Sequence, residues 1–215
     1  MFVAICGAHG VGKTSTLKEL SLILTSQSIK FEQFHHRAIS KNTLSFIDAE
    51  KISKVGPIEK RHKNKILGFI WRNMLPFSLR SFITALIDEK HYRMTINSRV
   101  FNIKSNQRVA ISDRFIYDRM VDLNICNRHW SQRFALILNA IIIKKPDLII
   151  FLRDKPDLIV KRKQEFSINE TKVYQFKLDK IIRFFRTPCY YIDIHNRPVN
   201  QIAIDASNKI ISLLE

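Results

Sequence analysis

The sequence predicts an α/β fold, a doubly wound sheet of five parallel strands flanked by helices. Short apolar runs rich in strand-forming residues alternate with longer segments whose apolar residues recur at helical spacing. Two of these runs, residues 109–112 and 147–152, are too apolar for a strand at the edge of a sheet. The 215 residues, 46% of them hydrophobic, suffice for one core, so we expect a single domain spanning residues 1–215.

The first half of the chain begins with a strand at residues 2–6, followed by a helix whose leucines recur at helical spacing. A second strand is expected from residue 29 to near Arg37. Residues 38–65 are polar and basic and predict loop with short helix, whereas residues 66–101 contain two amphipathic helical runs.

The second half of the chain alternates strands and helices more regularly. The strand at residues 147–152 leads to a helix that begins at Pro156, and a polar gap at residues 167–170 precedes the next helix. The remaining predicted elements are helices at residues 116–123 and 132–143, a helix from the gap to residue 185, a strand at 188–194 and a terminal helix from Val199.

The chain is strongly basic, with 36 Lys and Arg against 19 Asp and Glu and a formal net charge of +17. Such a charge favours anionic partners, but the basic residues are spread along the chain, so a solvated surface is the simpler interpretation. Three widely separated cysteines suggest a reducing compartment. We find no signal peptide and no apolar run that could cross a bilayer, so a cytoplasmic location is expected.

The strongest motif is G-x-x-x-x-G-K-T at residues 7–14, between the first strand and the first helix. In such a loop the backbone N–H groups point at phosphate oxygens, and the helix N-terminus adds a positive dipole end. Lys13 would reach the β- and γ-phosphates, and the Thr14 hydroxyl would help to hold Mg²⁺. The predicted nucleotide-binding residues are Gly7, His9, Gly10, Val11, Gly12, Lys13, Thr14 and Ser15.

Further candidate residues follow other predicted strands, because ligands of doubly wound sheets bind outside the carboxyl ends of the strands. Asp113 would hold Mg²⁺ waters or take the acceptor's proton, and Arg114 would grip an acceptor phosphate bidentately. Asp154 is an alternative carboxylate, and a structural ion pair is the alternative role of Asp113 and Arg114. Basic residues after the fourth strand would close over the phosphates as a lid, unless they are a solvated helix face.

These features together resemble the thymidylate kinase family of P-loop nucleoside monophosphate kinases. The matching segments are the phosphate loop, Ser-Asp-Arg-Phe at residues 112–115, and residues 145–152 with the basic run after them. Residues 117–118 and 162–165 are closer to an uncharacterised thymidylate-kinase-like branch. The resemblance implies a P-loop kinase fold, ATP with Mg²⁺, a helical acceptor-side region at about residues 38–105 and a short lid at about 161–172. It also implies Lys13, Asp113, Arg114 and Arg162 as catalytic residues, Thr14 and Asp113 as magnesium ligands, and His9, Arg37 and Arg114 as acceptor-binding residues.

Three departures from the family pattern lie on the acceptor side. His9 stands where an acidic residue is usual, Arg37 lacks the Glu-Pro-Gly that normally follows it, and Asp118 replaces a serine. An imidazole beside Arg114 and Arg37 would make the acceptor pocket more basic. We therefore expect an acceptor with more negative charge than thymidylate, and weak or no activity on thymidylate itself.

The predicted function is ATP-dependent transfer of a γ-phosphoryl group to a nucleoside monophosphate or a related phosphorylated small molecule. One alternative is a nucleotide-dependent switch or adaptor with slow ATP hydrolysis, and another is a polyanion- or membrane-binding protein that uses the fold as a scaffold. A GTPase is disfavoured because the chain has no Asn-Lys-x-Asp or Thr-Lys-x-Asp motif. The expected partner is the phosphorylated acceptor, and contact with an anionic membrane or nucleic acid and assembly as a homodimer are further options.

Overall fold

A five-stranded, all-parallel sheet forms the centre of the protein. The computed structural model describes residues 1–35, 77–105, 108–125 and 130–215. The strands lie in the order β2-β3-β1-β4-β5, and every neighbouring pair is parallel. Their bounds are β1 Phe2–Gly7, β2 Phe31–His35, β3 Val109–Asp113, β4 Leu148–Arg153 and β5 Cys189–Asp193. The prediction of an α/β fold with five parallel strands is confirmed.

Helices connect the strands and flank the sheet. In the described part of the chain they are α1 Lys13–Ser26, α2 Phe77–Ser105, α3 Ile116–Ile125, α4 Trp130–Ile142, α5 Pro156–Arg162, α6 Ile168–Phe184 and α7 Val199–Ile211. Helix α1 packs against α7, α2 against α4, and α3 against α6. Among the residues whose structure is described, no helix combines the length and the apolarity needed to cross a bilayer.

The core follows the apolar pattern of the sequence. All residues of β1 and β3 are buried, and the first five residues of β4 are buried as well. Strand β5 is half-exposed, as a strand at the edge of the sheet should be. On α1 the leucines that recur at helical spacing, Leu17, Leu20 and Leu24, are all buried. The sheet interior is therefore built by the apolar runs from which it was predicted.

Several predicted boundaries can be compared with the structure. Strand β2 covers Phe31–His35. The predicted end of this strand near Arg37 and the predicted helical run at residues 66–76 lie outside the described residues. The prediction that residues 167–170 form a polar gap before the helix was wrong. Ser167 is the N-cap of α6, and the helix already runs from Ile168. Its polar residues are there because helix starts need side chains that satisfy free backbone N–H groups.

Strand β1 lies between β3 and β4 in the sheet. Strands β2 and β3 lie on one side of β1, and β4 and β5 lie on the other, so the strand order reverses at β1. Ile5 of β1 is paired with Asp113 of β3, and Gly7 is paired with Leu152 of β4. The carboxyl ends of all three central strands therefore meet at one edge. Crevices at such switch points are the usual ligand sites of open parallel sheets.

Candidate functional site

The phosphate loop connects the end of β1 to the start of α1. Gly12 has a φ of +94°, a left-handed conformation that favours glycine, and a Cβ added there would meet no atom within 4 Å. A Cβ on Gly7 would lie 2.7 Å from the Leu152 carbonyl oxygen, because β4 passes directly beside it. The backbone thus turns sharply and leaves open space next to Gly12 at the N-terminus of α1, which suits an anion.

Lys13 lies inside this loop with only 6% of its surface exposed. Its Nζ donates hydrogen bonds to the carbonyl oxygens of Gly7 at 2.6 Å and Ala8 at 2.8 Å. Burial lowers the pKa of the amine from 10.5 to about 8, while the Asp118 carboxylate opposes that fall. Two neutral carbonyl oxygens therefore hold the lysine in the loop. Phosphate oxygens could replace them as hydrogen-bond acceptors of the amine.

The two predicted magnesium ligands lie on adjoining elements. Thr14 and Ser15 are exposed in the first turn of α1. Asp113 is 5% exposed at the end of β3, close enough to raise the pKa of Lys13. A hydroxyl and a carboxylate are the oxygen ligands that Mg²⁺ prefers, and Mg²⁺ usually keeps waters and substrate phosphates as its other ligands. This donor set fits Mg²⁺ together with a nucleotide, and no cluster of three or more His, Cys, Asp or Glu within the described ranges could hold a metal alone.

Arg114 follows Asp113 in an uncommon backbone conformation, with a φ of +76°. Its backbone N–H donates to the Ile5 carbonyl oxygen at 2.9 Å, which fixes the turn to β1. Burial opposes the charge of the guanidinium, but nearby acidic groups, Asp118 first among them, outweigh it and raise the Arg114 pKa. Positive φ at a residue other than glycine persists only where the surroundings enforce it, and such residues concentrate at functional sites.

His9 lies at the centre of a side-chain cluster over the loop. Its Nε2 is 3.1 Å from a guanidinium nitrogen of Arg114 and 3.3 Å from Asp122 Oδ1, and its Nδ1 is 2.6 Å from Glu165 Oε2. The ring packs edge-on against Phe166, with centroids 5.2 Å apart. The expected contact between His9 and Arg114 is present. The sequence led us to expect that the imidazole makes the acceptor pocket more basic, and the described residues add a carboxylate on each side of it, Asp122 and Glu165.

Arg162 and Asp154, the predicted lid arginine and the alternative carboxylate, are bound to each other. Arg162 NH1 lies 2.8 Å from Asp154 Oδ2, and the side chain of Asp154 is fully buried. The Lys155 backbone N–H donates to the other oxygen of Asp154 at 2.8 Å. Asp154 therefore anchors the start of α5, whereas the charge of Asp113 acts to raise the Lys13 pKa.

The predicted lid at residues 161–172 contains the end of α5, residues 163–167 and the beginning of α6. It lies against the phosphate loop, since a Cβ on Gly10 would come within 2.9 Å of Lys163 Cβ. Lys163 also forms an ion pair with Glu165 at 2.8 Å, and that pair lowers the Glu165 pKa. Arg37 and most of the predicted acceptor-side region, residues 38–76, lie outside the described residues.

Sequence reasoning missed three residues of the site, Asp122, Glu165 and Tyr174, and gave no role to Asp118. Asp118 and Asp122 are four residues apart on one helix, a spacing that predicts a shared face. Glu165 and Tyr174 had no comparable signal, because they reach His9 and Asp118 only through the packing of α6 and the segment before it.

No family model matches this chain, and no curated protein is detectably similar to it. We therefore infer the function from the site and from the fold that positions it.

Proposed function

We propose that the protein is an ATP-dependent kinase with a P-loop nucleoside-monophosphate-kinase-like fold, similar to thymidylate kinase. It transfers the γ-phosphoryl group of ATP to a nucleoside monophosphate or a related phosphorylated small molecule. The observation that supports this most is the buried Lys13 of a glycine-rich loop at the switch point of the sheet, with Asp113 and Arg114 at the end of the neighbouring strand.

On the donor side, the loop supplies positive charge and backbone N–H groups. The β- and γ-phosphates of ATP bind beside Gly12 and displace the carbonyl oxygens from the Lys13 amine. The amine then stabilises charge on the transferring group, which is most of what a protein contributes to phosphoryl transfer. When bound by Thr14 and Asp113, Mg²⁺ neutralises phosphate charge.

On the acceptor side, Arg114 is the cation that binds the acceptor phosphate. Its guanidinium is already oriented toward the loop by His9 and lies 3.8 Å from Asp122. A guanidinium matches phosphate oxygens in a bidentate geometry that an ammonium cannot reproduce. Since Arg114 immediately follows Asp113, the acceptor's phosphate would be bound next to the carboxylate that can take its proton.

The cluster around His9 bears on the class of acceptor. Asp122 and Glu165 bring two carboxylates within hydrogen-bonding distance of the imidazole. Carboxylates accept hydrogen bonds from hydroxyl groups and repel additional phosphates. An acceptor with one phosphate and free sugar hydroxyls therefore fits this cluster better than one with additional negative charge. This proposal replaces the expectation from the sequence of an acceptor more negative than thymidylate.

The experiment is an acceptor screen with ATP and Mg²⁺, covering the nucleoside monophosphates, thymidylate included, and phosphorylated sugars. Conversion of one acceptor to its diphosphate supports the proposal. ATP hydrolysis that no acceptor accelerates would instead support a nucleotide-dependent switch, and failure to bind ATP would refute both.

A further inference from the structure

Asp118 is a carboxylate that the proposed reaction does not use, although it lies beneath the site. It occupies the first turn of α3 and is 0% exposed. Carboxylates are almost never fully buried unless they are paired and hydrogen-bonded, because losing hydration disfavours the charge. The groups that surround Asp118 must therefore compensate for its burial.

The two oxygens of Asp118 bind the backbone of two different turns. Oδ1 accepts a hydrogen bond from the Gly7 N–H at 3.3 Å, and Oδ2 accepts one from the Phe115 N–H at 3.2 Å. Gly7 begins the phosphate loop, and its carbonyl oxygen accepts the hydrogen bond from Lys13. Phe115 immediately follows Arg114. One side chain thus connects the turn that holds the donor-side lysine to the turn that holds the acceptor-side arginine.

The charged and titratable groups around Asp118 lie on several different elements. Against the effect of burial, the Asp118 charge raises the Arg114 pKa and limits the fall of the Lys13 pKa. The Tyr174 hydroxyl on α6 donates to Oδ1 at 3.2 Å. Burial, and after it the Asp118 charge, raises the pKa of the Cys6 thiol on β1. The buried carboxylate is therefore surrounded by two cations and by hydrogen-bond donors on β1, on α6 and in the turn that contains Arg114.

We propose that Asp118 is a positioning residue that fixes the phosphate loop relative to the Arg114 turn, so that donor and acceptor groups are held at a constant separation. This inference rests on the proposed function. Rates of transfer between two bound reactants depend steeply on their separation, and a displacement of about 1 Å costs about 10²-fold. A carboxylate suits this position because it has two oxygens, each able to accept from one turn.

A simpler explanation is that Asp118 only stabilises the start of α3. A side chain in the first turn that accepts from the N–H preceding the helix is half of a capping box, and Oδ2 fits that description. It does not explain Oδ1, whose partners belong to β1 and α6. The two explanations differ in whether removing the carboxylate slows turnover in molecules that remain folded.

The test compares Asp118→Asn with Tyr117→Phe. An asparagine has one acceptor oxygen, so it cannot accept from both turns. Tyr117→Phe is the matched control because it removes a buried hydrogen bond, to Thr187 at 2.9 Å, from the same turn of α3 without touching the loop. We expect Asp118→Asn to lower kcat by about 10- to 100-fold with the KM for ATP changed less than about threefold. Tyr117→Phe should lower thermal stability and leave kcat within about threefold.

Equal kcat values for folded Asp118→Asn and wild type would overturn the inference, as would a loss confined to the KM for ATP. A wild type that phosphorylates no acceptor would refute the proposed function, and with it a positioning role in transfer. In that case, hydrogen exchange at the Gly7 amide measures the hydrogen bond between Gly7 and Asp118 directly and needs no enzymatic activity. Faster Gly7 exchange in Asp118→Asn than in Tyr117→Phe supports the inference that Asp118 connects the two turns. Equal exchange in the two variants excludes it.

Discussion

At the scale of single residues, Arg114 connects most of the site. Its backbone is held to β1 in a left-handed conformation, and its side chain contacts His9 and lies near Asp122. Asp113 and Arg114 could be predicted from the sequence because they follow directly on an apolar strand. Glu165 could not, since its contact with His9 joins residues 156 positions apart.

Replacing Arg114 with lysine tests its proposed role as the residue that binds the acceptor's phosphate. We expect kcat/KM for the acceptor to fall by about 10- to 100-fold, the scale of one lost charge-assisted hydrogen bond, with ATP affinity nearly unchanged. Steady-state kinetics and calorimetric titration with ATP measure the two quantities. Arg183→Lys is the control, because Arg183 is exposed and pairs with Asp179 at the end of α6. Parallel losses of ATP affinity, acceptor turnover and thermal stability in Arg114→Lys would make Arg114 a structural residue.

At the scale of elements, strands were easier to predict than helix starts. The runs that became β1, β3 and β4 consist mostly of buried apolar residues, so burial determines them almost alone. The start of α6 was missed although its signal is local. Ser167 and Glu170 form a capping box, in which each side chain bonds the other's backbone N–H, and this serine–glutamate spacing can be recognised in a sequence.

Replacing Ser167 with alanine should destabilise the protein by about 1 kcal/mol, the usual cost of losing an N-cap side chain. Urea unfolding of wild type and variant measures the difference. Ser212→Ala is a suitable control, since that exposed hydroxyl donates to the Lys209 carbonyl at the end of α7 and caps no helix start. If the two variants unfold at the same urea concentration, the capping box contributes nothing to stability.

At the scale of the whole molecule, the charge of +17 is the feature least explained by the fold. Several described arginines are already paired with carboxylates, among them Arg153 with Asp193 and Arg197 with Asp205. The net charge already counts these carboxylates, so the pairs leave the excess of 17 cations unchanged. Because the basic residues are spread along the chain, a solvated basic surface remains our interpretation of the charge.

Binding to anionic vesicles and to nucleic acid at two salt concentrations tests this interpretation. We expect weak binding at both about 50 mM and about 200 mM salt. A dedicated polyanion partner would produce tight binding at the lower concentration and a steep loss at the higher one, because neutralised phosphates release their counterions. Neutral vesicles provide the control for contacts that do not depend on charge.

The central claim, phosphoryl transfer at the Lys13 loop, is tested most directly by following γ-labelled phosphate from ATP into the best acceptor. The wild-type protein should transfer the label to the acceptor. Lys13→Ala should do so about 10²- to 10³-fold more slowly, the scale for losing one preorganised charge in the transition state, while remaining folded. The claim would be contradicted if the wild-type protein released the label only as inorganic phosphate. It would also be contradicted if a folded Lys13→Ala protein transferred the label at the wild-type rate.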